Sequence, residues 1–237
     1  MVEIVASPRE AVAGIPDAAT VMIGGFGEAG QPLALVEALI DSGVTDLTVI
    51  NNNAGGGDVG LARLIGAGRV RKIVCSFPRQ SDSWHFDDKY RKGEIELELV
   101  PQGNLAERIR AAGAGIGAFF TPTGYGTLLA EGKETREIDG RHYVLEYPLR
   151  ADYALIKAQI ADERGNLVYR KTARNFGPIM AAAADTTIVE VAEIIAAGGL
   201  DPEHVVTPAI YVDRVVRVAS LREAENSAVA AQAGATW

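Results

Sequence analysis

Short apolar runs alternate with amphipathic stretches through the first half of the chain. The runs predict strands over Thr20–Ile23, Leu47–Ile50, Ile73–Phe77 and Glu96–Val100, with another at Ala118–Phe120. Helical spacing between them predicts helices over Leu33–Ser42, Val59–Ile65, Asp87–Lys92 and Leu105–Ala112. Asn104 is placed to cap the last of these, with Glu107 completing a capping-box-like start. Strands separated by helices imply βαβ units, hence an α/β fold with a single open, largely parallel sheet flanked by helices.

The second half is less regular and richer in strands. Thr121 to Gly140 has no sustained periodicity and holds Gly124, Gly126, Gly132 and Gly140; long irregular segments of this kind tend to be functional. Strand-like runs follow at Tyr143–Tyr147, Tyr153–Gln159 and Leu167–Tyr169, with a hairpin turn at Asp162–Asn166. A helix over Pro178–Ala184, a strand over Thr187–Val191 and a short helix to Ala197 come next, then an apolar run from Val205 to Val216 interrupted by Pro208. From Ala219 the chain is small, polar and alanine-rich. The expected organisation is one domain over 1–218 and a frayed tail over 219–237.

Composition narrows the function. A chain of 237 residues at 48% apolar content suffices for one sizeable core. A net charge of −8 argues against nucleic acid, which needs a basic face. No window is apolar enough for a membrane span and the N-terminus lacks a signal-peptide pattern, so a cytoplasmic location is expected. The single cysteine, Cys75, lies in a strand-like run and reads as packing. His85, His142 and His204 stand in separate segments without ligand spacing, so no metal site is expected. No GxSxG elbow supports serine hydrolysis.

The segment Gly24-Gly25-Phe26-Gly27-Glu28-Ala29-Gly30 follows a strand and precedes a helix, an arrangement that brings backbone amides close to an anion. It contains the GxGxxG spacing of dinucleotide sites, but two features oppose that reading. Pro32 would fall inside the helix that such a motif opens, so the helix must start near Gln31–Leu33 and the glycines form a longer loop. The next strand ends in Asn51-Asn52-Asn53, where a ribose-binding acid is needed. Polar groups also follow the later strands, at Arg79-Gln80-Ser81 and Gln102-Gly103-Asn104, and a parallel sheet would gather them on one edge. They supply donors and amides but no nucleophile. Glu28, Glu131 and Glu134 read as solvated loop charges. The residues alone therefore indicate an anion or acyl-ligand site with an incomplete catalytic set.

Asp17 to Pro32, with Gly24-Gly25-Phe26 and Gly30-Gln31-Pro32, resembles the first signature of the family I CoA-transferases. Ala18 departs from the signature ahead of the loop. The resemblance continues through Asn51–Gly55, Pro101–Ile109, Thr121–Thr127, Glu131–Glu134 and Arg170–Phe176, reaching about residue 218. It is to the A (alpha) subunit, and it implies a B (beta) subunit partner that carries the catalytic glutamate. CoA and acyl-CoA would then be substrates, with no permanently bound cofactor. By the same resemblance the Gly24–Gly30 loop lies near the CoA thioester and Gln102 is a side-chain donor of an oxyanion hole. Capping of the next helix is the alternative for Gln102, and for Asn51 and Asn52 acyl contact competes with simple turn formation. Ser76 to Ser83 resembles this block in 3-oxoadipate CoA-transferases, which implies CoA transfer from succinyl-CoA to 3-oxoadipate; transfer to acetoacetate is the alternative acid. Arg79 is then a candidate for the distal carboxylate, and Lys171 and Arg174 are candidates for CoA phosphates or plain surface cations. A CoA- or sugar-phosphate-sensing module is the reading from another class.

Overall fold

The computed structural model describes residues 2–218, so the expected tail over 219–237 lies outside the described residues. The first half supplies strands β1 (Glu3–Val5), β2 (Thr20–Ile23), β3 (Leu47–Ile50), β4 (Val70–Cys75), β5 (Glu96–Leu99) and β6 (Phe119–Thr121). Helices α1 (Pro8–Ala11), α2 (Leu33–Ser42), α3 (Gly60–Gly66), α4 (Trp84–Arg91) and α5 (Gln102–Gly113) lie among them. The second half adds β7 (Thr135–Ile138), β8 (Arg141–Glu146), β9 (Ala151–Lys157), β10 (Ile160–Asp162) and β11 (Leu167–Val168). Helix α6 (Gly177–Ala183) and strands β12 (Ala184–Val191), β13 (Glu193–Ile195) and β14 (Arg214–Arg217) complete the described chain.

Eight strands form the main sheet in the order β1-β14-β12-β9-β2-β3-β4-β5, and every neighbouring pair is parallel. A parallel sheet is covered on both faces, which is why its central strands read as continuous apolar runs. Val21, Met22 and Ile23 are fully buried, but they serve different cores. Val21 and Ile23 join Leu35, Leu39, Leu61 and Phe86 from α2, α3 and α4. Met22 joins Leu105, Ile109 and Met180 from α5 and α6 on the opposite face. Cys75 is buried in the first of these cores, and burial pushes its thiol up to about 12, so it stays a packing residue. Helix α2 stops where Gly43 takes φ +84°, the left-handed turn that ends helices without a Cβ penalty.

Two small sheets, β6-β8-β7 and β11-β10-β13, make up the rest of the second half. Three expectations are corrected by the structure. The run to Ala197 is the strand β13, paired with β10, and not a helix. The segment expected to be irregular contains β7, whose residues are all exposed and so lack an apolar signal. Asn104 does not cap α5, which begins at Gln102 after Pro101. Its amide instead donates to Glu146 Oε1 at 3.1 Å and to the Thr123 carbonyl at 3.2 Å. Pro fits just before a helix because its fixed φ is compatible with the first turn, and this lets α5 start three residues earlier. Among the described residues no helix is long and apolar enough to cross a membrane.

Candidate active site

The carboxyl ends of β2, β3, β4 and β5 carry the polar segments singled out in the sequence. The asparagine segment after β3 is bonded to the ends of the other three strands. The Asn51 amide donates to the Ile23 carbonyl, tying the end of β3 to the end of β2. Asn51 Oδ1 accepts from the amide of Asn53 at 2.8 Å, and Asn53 Oδ1 from that of Gly55 at 2.7 Å, so both act as side-chain-stabilised turns. Asn52 Oδ1 accepts from Ser76 Oγ at 2.8 Å, on the loop after β4, and from Gln102 Nε2 at 2.8 Å, at the start of α5. All three asparagines are buried, whereas Gln102 is exposed.

Gln102 makes no capping bond: its amide reaches across to Asn52 and the helix has no side-chain cap. The capping alternative is removed. For the asparagines the turn role is observed at Asn51, and Asn52 adds a bridge to Gln102. Arg79 stands exposed on the loop after β4 and gives its Nε to Asp87 Oδ1 at 2.7 Å, so its charge is already compensated.

The glycine loop is tightly specified. Gly24 continues the sheet by donating to the Leu155 carbonyl at 2.9 Å, and Phe26 and Ala29 exchange backbone bonds across Gly27 and Glu28. The amides of Gly25, Gly27, Glu28 and Gly30 are left without an acceptor among the described residues. Phe26 and Glu28 are exposed. Gly25 (φ +127°) and Gly30 (φ +81°) are positions where a side chain has no room. A Cβ on Gly25 would stand 2.7 Å from Gln31 Cγ, and one on Gly30 2.5 Å from the Ala173 carbonyl. Helix α2 starts at Leu33, as Pro32 requires.

Residues that sequence reading missed hold this loop from the second half. The Asn175 amide donates to the Ala29 carbonyl at 2.9 Å. Glu190, buried in β12, accepts from the amides of Ala34 at 2.9 Å and Leu35 at 3.2 Å, satisfying first-turn donors of α2 that have no helical partner. Lys157 at the end of β9 pairs with the same carboxylate at 3.1 Å. Burial raises the Glu190 carboxyl above its ordinary range, with Lys157 and the two amides opposing that rise. The available signal was a charge inside each of two otherwise apolar strand runs, since an acid there must find a partner. Beside the loop lies a cleft of about 600 Å³ lined by Phe26, Ala29, Lys171, Thr172, Arg174 and Asn175. Among the described residues no cluster of His, Cys, Asp and Glu is arranged to hold a metal.

This set offers amide donors at strand ends, an unsatisfied glycine loop and nearby cations, with no nucleophile among the donors. It can cradle an anionic or acyl group and stabilise developing negative charge. The sequence profile of the family described as Coenzyme A transferase matches residues 5–218. The chain is 68% identical over 212 residues to the A subunit of 3-oxoadipate CoA-transferase from Pseudomonas putida, covering 90% of this chain and 92% of the relative. It is 54% identical to the A subunit of succinyl-CoA:3-ketoacid coenzyme A transferase from Xanthomonas campestris pv. campestris, covering 89% and 87%. The crystal structure of glutaconate coenzyme A-transferase from Acidaminococcus fermentans shares the fold with a TM-score of 0.81 at 24% identity, covering 92% of this chain and 76% of that one. The chain belongs to the coenzyme A transferase family.

Proposed function

We propose that this chain is the A subunit of an enzyme that moves CoA from succinyl-CoA to 3-oxoadipate, working in the cytoplasm with a separate B subunit. The observation that carries the reading is the bond from Gln102 Nε2 to Asn52 Oδ1, which holds a side-chain donor from the start of α5 against the asparagine turn after β3. The naming of the relatives as A subunits supports a two-chain enzyme, and the 68% identity supports the acid. The 54% identity to a 3-ketoacid enzyme keeps acetoacetate as the second acid to compare. Phe26 and Phe77 stand more than half exposed on the loops after β2 and β4, each an apolar group available to a partner surface.

In this reading the attacking carboxylate is a glutamate of the B subunit. It attacks the thioester carbonyl, a mixed anhydride and CoA thiolate form, and the thiolate then attacks the glutamyl carbonyl. The released acid leaves, and the enzyme–CoA thioester passes CoA to the acceptor acid by the reverse steps. This chain contributes the charge-stabilising part. Gln102 donates to the developing oxyanion, and the free amides of Gly25, Gly27, Glu28 and Gly30 accept close approach by the acyl-CoA. Asn51 and Asn52 fix the floor on which the acyl group rests, and Arg79, held through its Nε by Asp87, is the candidate to meet a dicarboxylic acceptor with its terminal N–H groups. Binding energy from the remote CoA moiety is then available at the reacting carbonyl.

The test is copurification with the B subunit, followed by assay of CoA exchange among several 3-oxo acids. Transfer from succinyl-CoA that favours 3-oxoadipate over acetoacetate, absent from the isolated chain, is expected. Turnover by this chain alone, or a thioester trapped on one of its own side chains, would overturn the reading.

A further inference from the structure

Lys171 differs from the other lysines of the chain. Lys72, Lys89, Lys92, Lys133 and Lys157 each lie within ion-pair distance of a carboxylate. Lys171 has no such partner among the described residues, and neither has Arg174 in the same 3-10 turn. Arg170, next to Lys171, is likewise outside the ion pairs, so this short stretch concentrates positive charge in a chain of net charge −8. Both line the cleft of about 600 Å³ whose other wall is Phe26 and Ala29 of the glycine loop. Arg79, the cation that sequence reasoning favoured for an acid, is instead bonded to Asp87.

The backbone adds an independent sign. Lys171 is held at φ +50°, a left-handed conformation that a lysine adopts only at some cost. The turn is fixed there by its neighbours: Asn175 donates to the carbonyls of Ala29 and Thr172, and Ala173 packs directly on Gly30. The turn that carries the two cations is therefore fixed against the glycine loop. An anion entering the cleft meets the two cations on one side and Phe26 and Ala29 on the other.

We propose that Lys171 and Arg174, across the cleft from the glycine loop, form a subsite for an oxyanion of the acyl-CoA substrate. This rests on the CoA-transfer reading above. Two groups of such a substrate have the required chemistry: the distal carboxylate of a dicarboxylic acyl group and the phosphates of CoA.

Donor specificity of the assembled A/B enzyme separates them. Lys171→Gly and Arg174→Ala are compared with wild type on succinyl-CoA, on acetoacetyl-CoA, which lacks the distal carboxylate, and on succinyl-pantetheine, which lacks the phosphates. Glycine suits the left-handed backbone, so Lys171→Gly removes the cation while relaxing the turn, and Lys171→Arg restores the charge. A KM for succinyl-CoA raised about tenfold to a hundredfold, and largely restored by Lys171→Arg, is expected for loss of a charge-assisted bond. If the penalty disappears with acetoacetyl-CoA, the subsite takes the carboxylate; if it disappears with succinyl-pantetheine, it takes a phosphate. Equal penalties on all three donors, or none, would overturn the subsite while leaving CoA transfer standing. A wild-type complex inactive on every donor would remove the CoA-transfer reading and the subsite with it.

Discussion

Replacing Gln102 by alanine separates a chemical role from a structural one. The Gln102 side chain is exposed and makes one bond, from Nε2 to Asn52 Oδ1 at 2.8 Å. After truncation, Asn52 Oδ1 still accepts from Ser76 Oγ at 2.8 Å, so no buried acceptor is orphaned. Gln102 caps nothing, and alanine is at least as good a helix former, so unfolding free energy should change by no more than about 0.5 kcal/mol. Removing one oxyanion donor typically lowers kcat by about a hundredfold to a thousandfold, or ~2.7–4 kcal/mol in the transition state. The A/B complex of Gln102→Ala should therefore melt like wild type and turn over far more slowly, with little change in KM. Gln102→Glu keeps the size but turns a carboxylate toward Asn52 Oδ1 and the reacting oxygen, and should be no better than alanine. A kcat within about threefold of wild type would refute the donor role. A parallel fall in melting temperature would show that the side chain serves folding instead.

Gly30→Ala should destabilise the chain by about 2–5 kcal/mol and disable the loop, since its Cβ would meet the Ala173 carbonyl at 2.5 Å in a left-handed backbone. Gly27→Ala meets nothing within 4 Å and should cost only the conformational strain, about 1–2 kcal/mol, so thermal unfolding of the pair checks the close-packing claim. Glu190→Ala leaves two helix donors and Lys157 without their carboxylate and should cost about 3–5 kcal/mol, whereas Glu190→Gln keeps an acceptor and should cost less. Because burial raises the folded-state affinity of Glu190 for its proton, its contribution is greatest below the unfolded carboxylate range and is lost as pH rises through the folded value. The deficit of the Gln variant in denaturant titrations should therefore shrink with rising pH. Arg79→Ala breaks an exposed pair with Asp87 and should shift stability by about 1 kcal/mol or less. It should impair 3-oxoadipate more than acetoacetate; equal kinetic losses on both acids would discard its selecting role.

The elements buried on both sides were the most legible. Strands Thr20–Ile23 and Leu47–Ile50 and helix Leu33–Ser42 fall on the residues that periodicity predicts, because there burial alone decides the pattern. The exposed β7 and the edge strand β1 carry no such pattern and were invisible, and the Glu193–Ile195 run was read with the wrong period. Asn104 was misassigned because its preceding Pro101 moved the helix start, turning a plausible cap into an interior residue bonded to Glu146. Within the site, groups that directly follow strands were readable from sequence, since a parallel sheet collects them on one edge. Their supports were not: Asn175 and Glu190 reach the loop and helix α2 across nearly 150 residues or more, a pairing that no local pattern encodes.

That long reach dictates when the site can exist during synthesis. Strand β2 emerges early and pairs on one side with β3, but its other neighbour is β9, and the carboxylate that holds the start of α2 arrives only with β12. A nascent chain that has released only its first half exposes an unpaired edge at β2 and an unanchored loop, a condition prone to premature association. An amino-terminal fragment stopping before β12 therefore lacks the carboxylate that anchors the start of α2 beside the glycine loop.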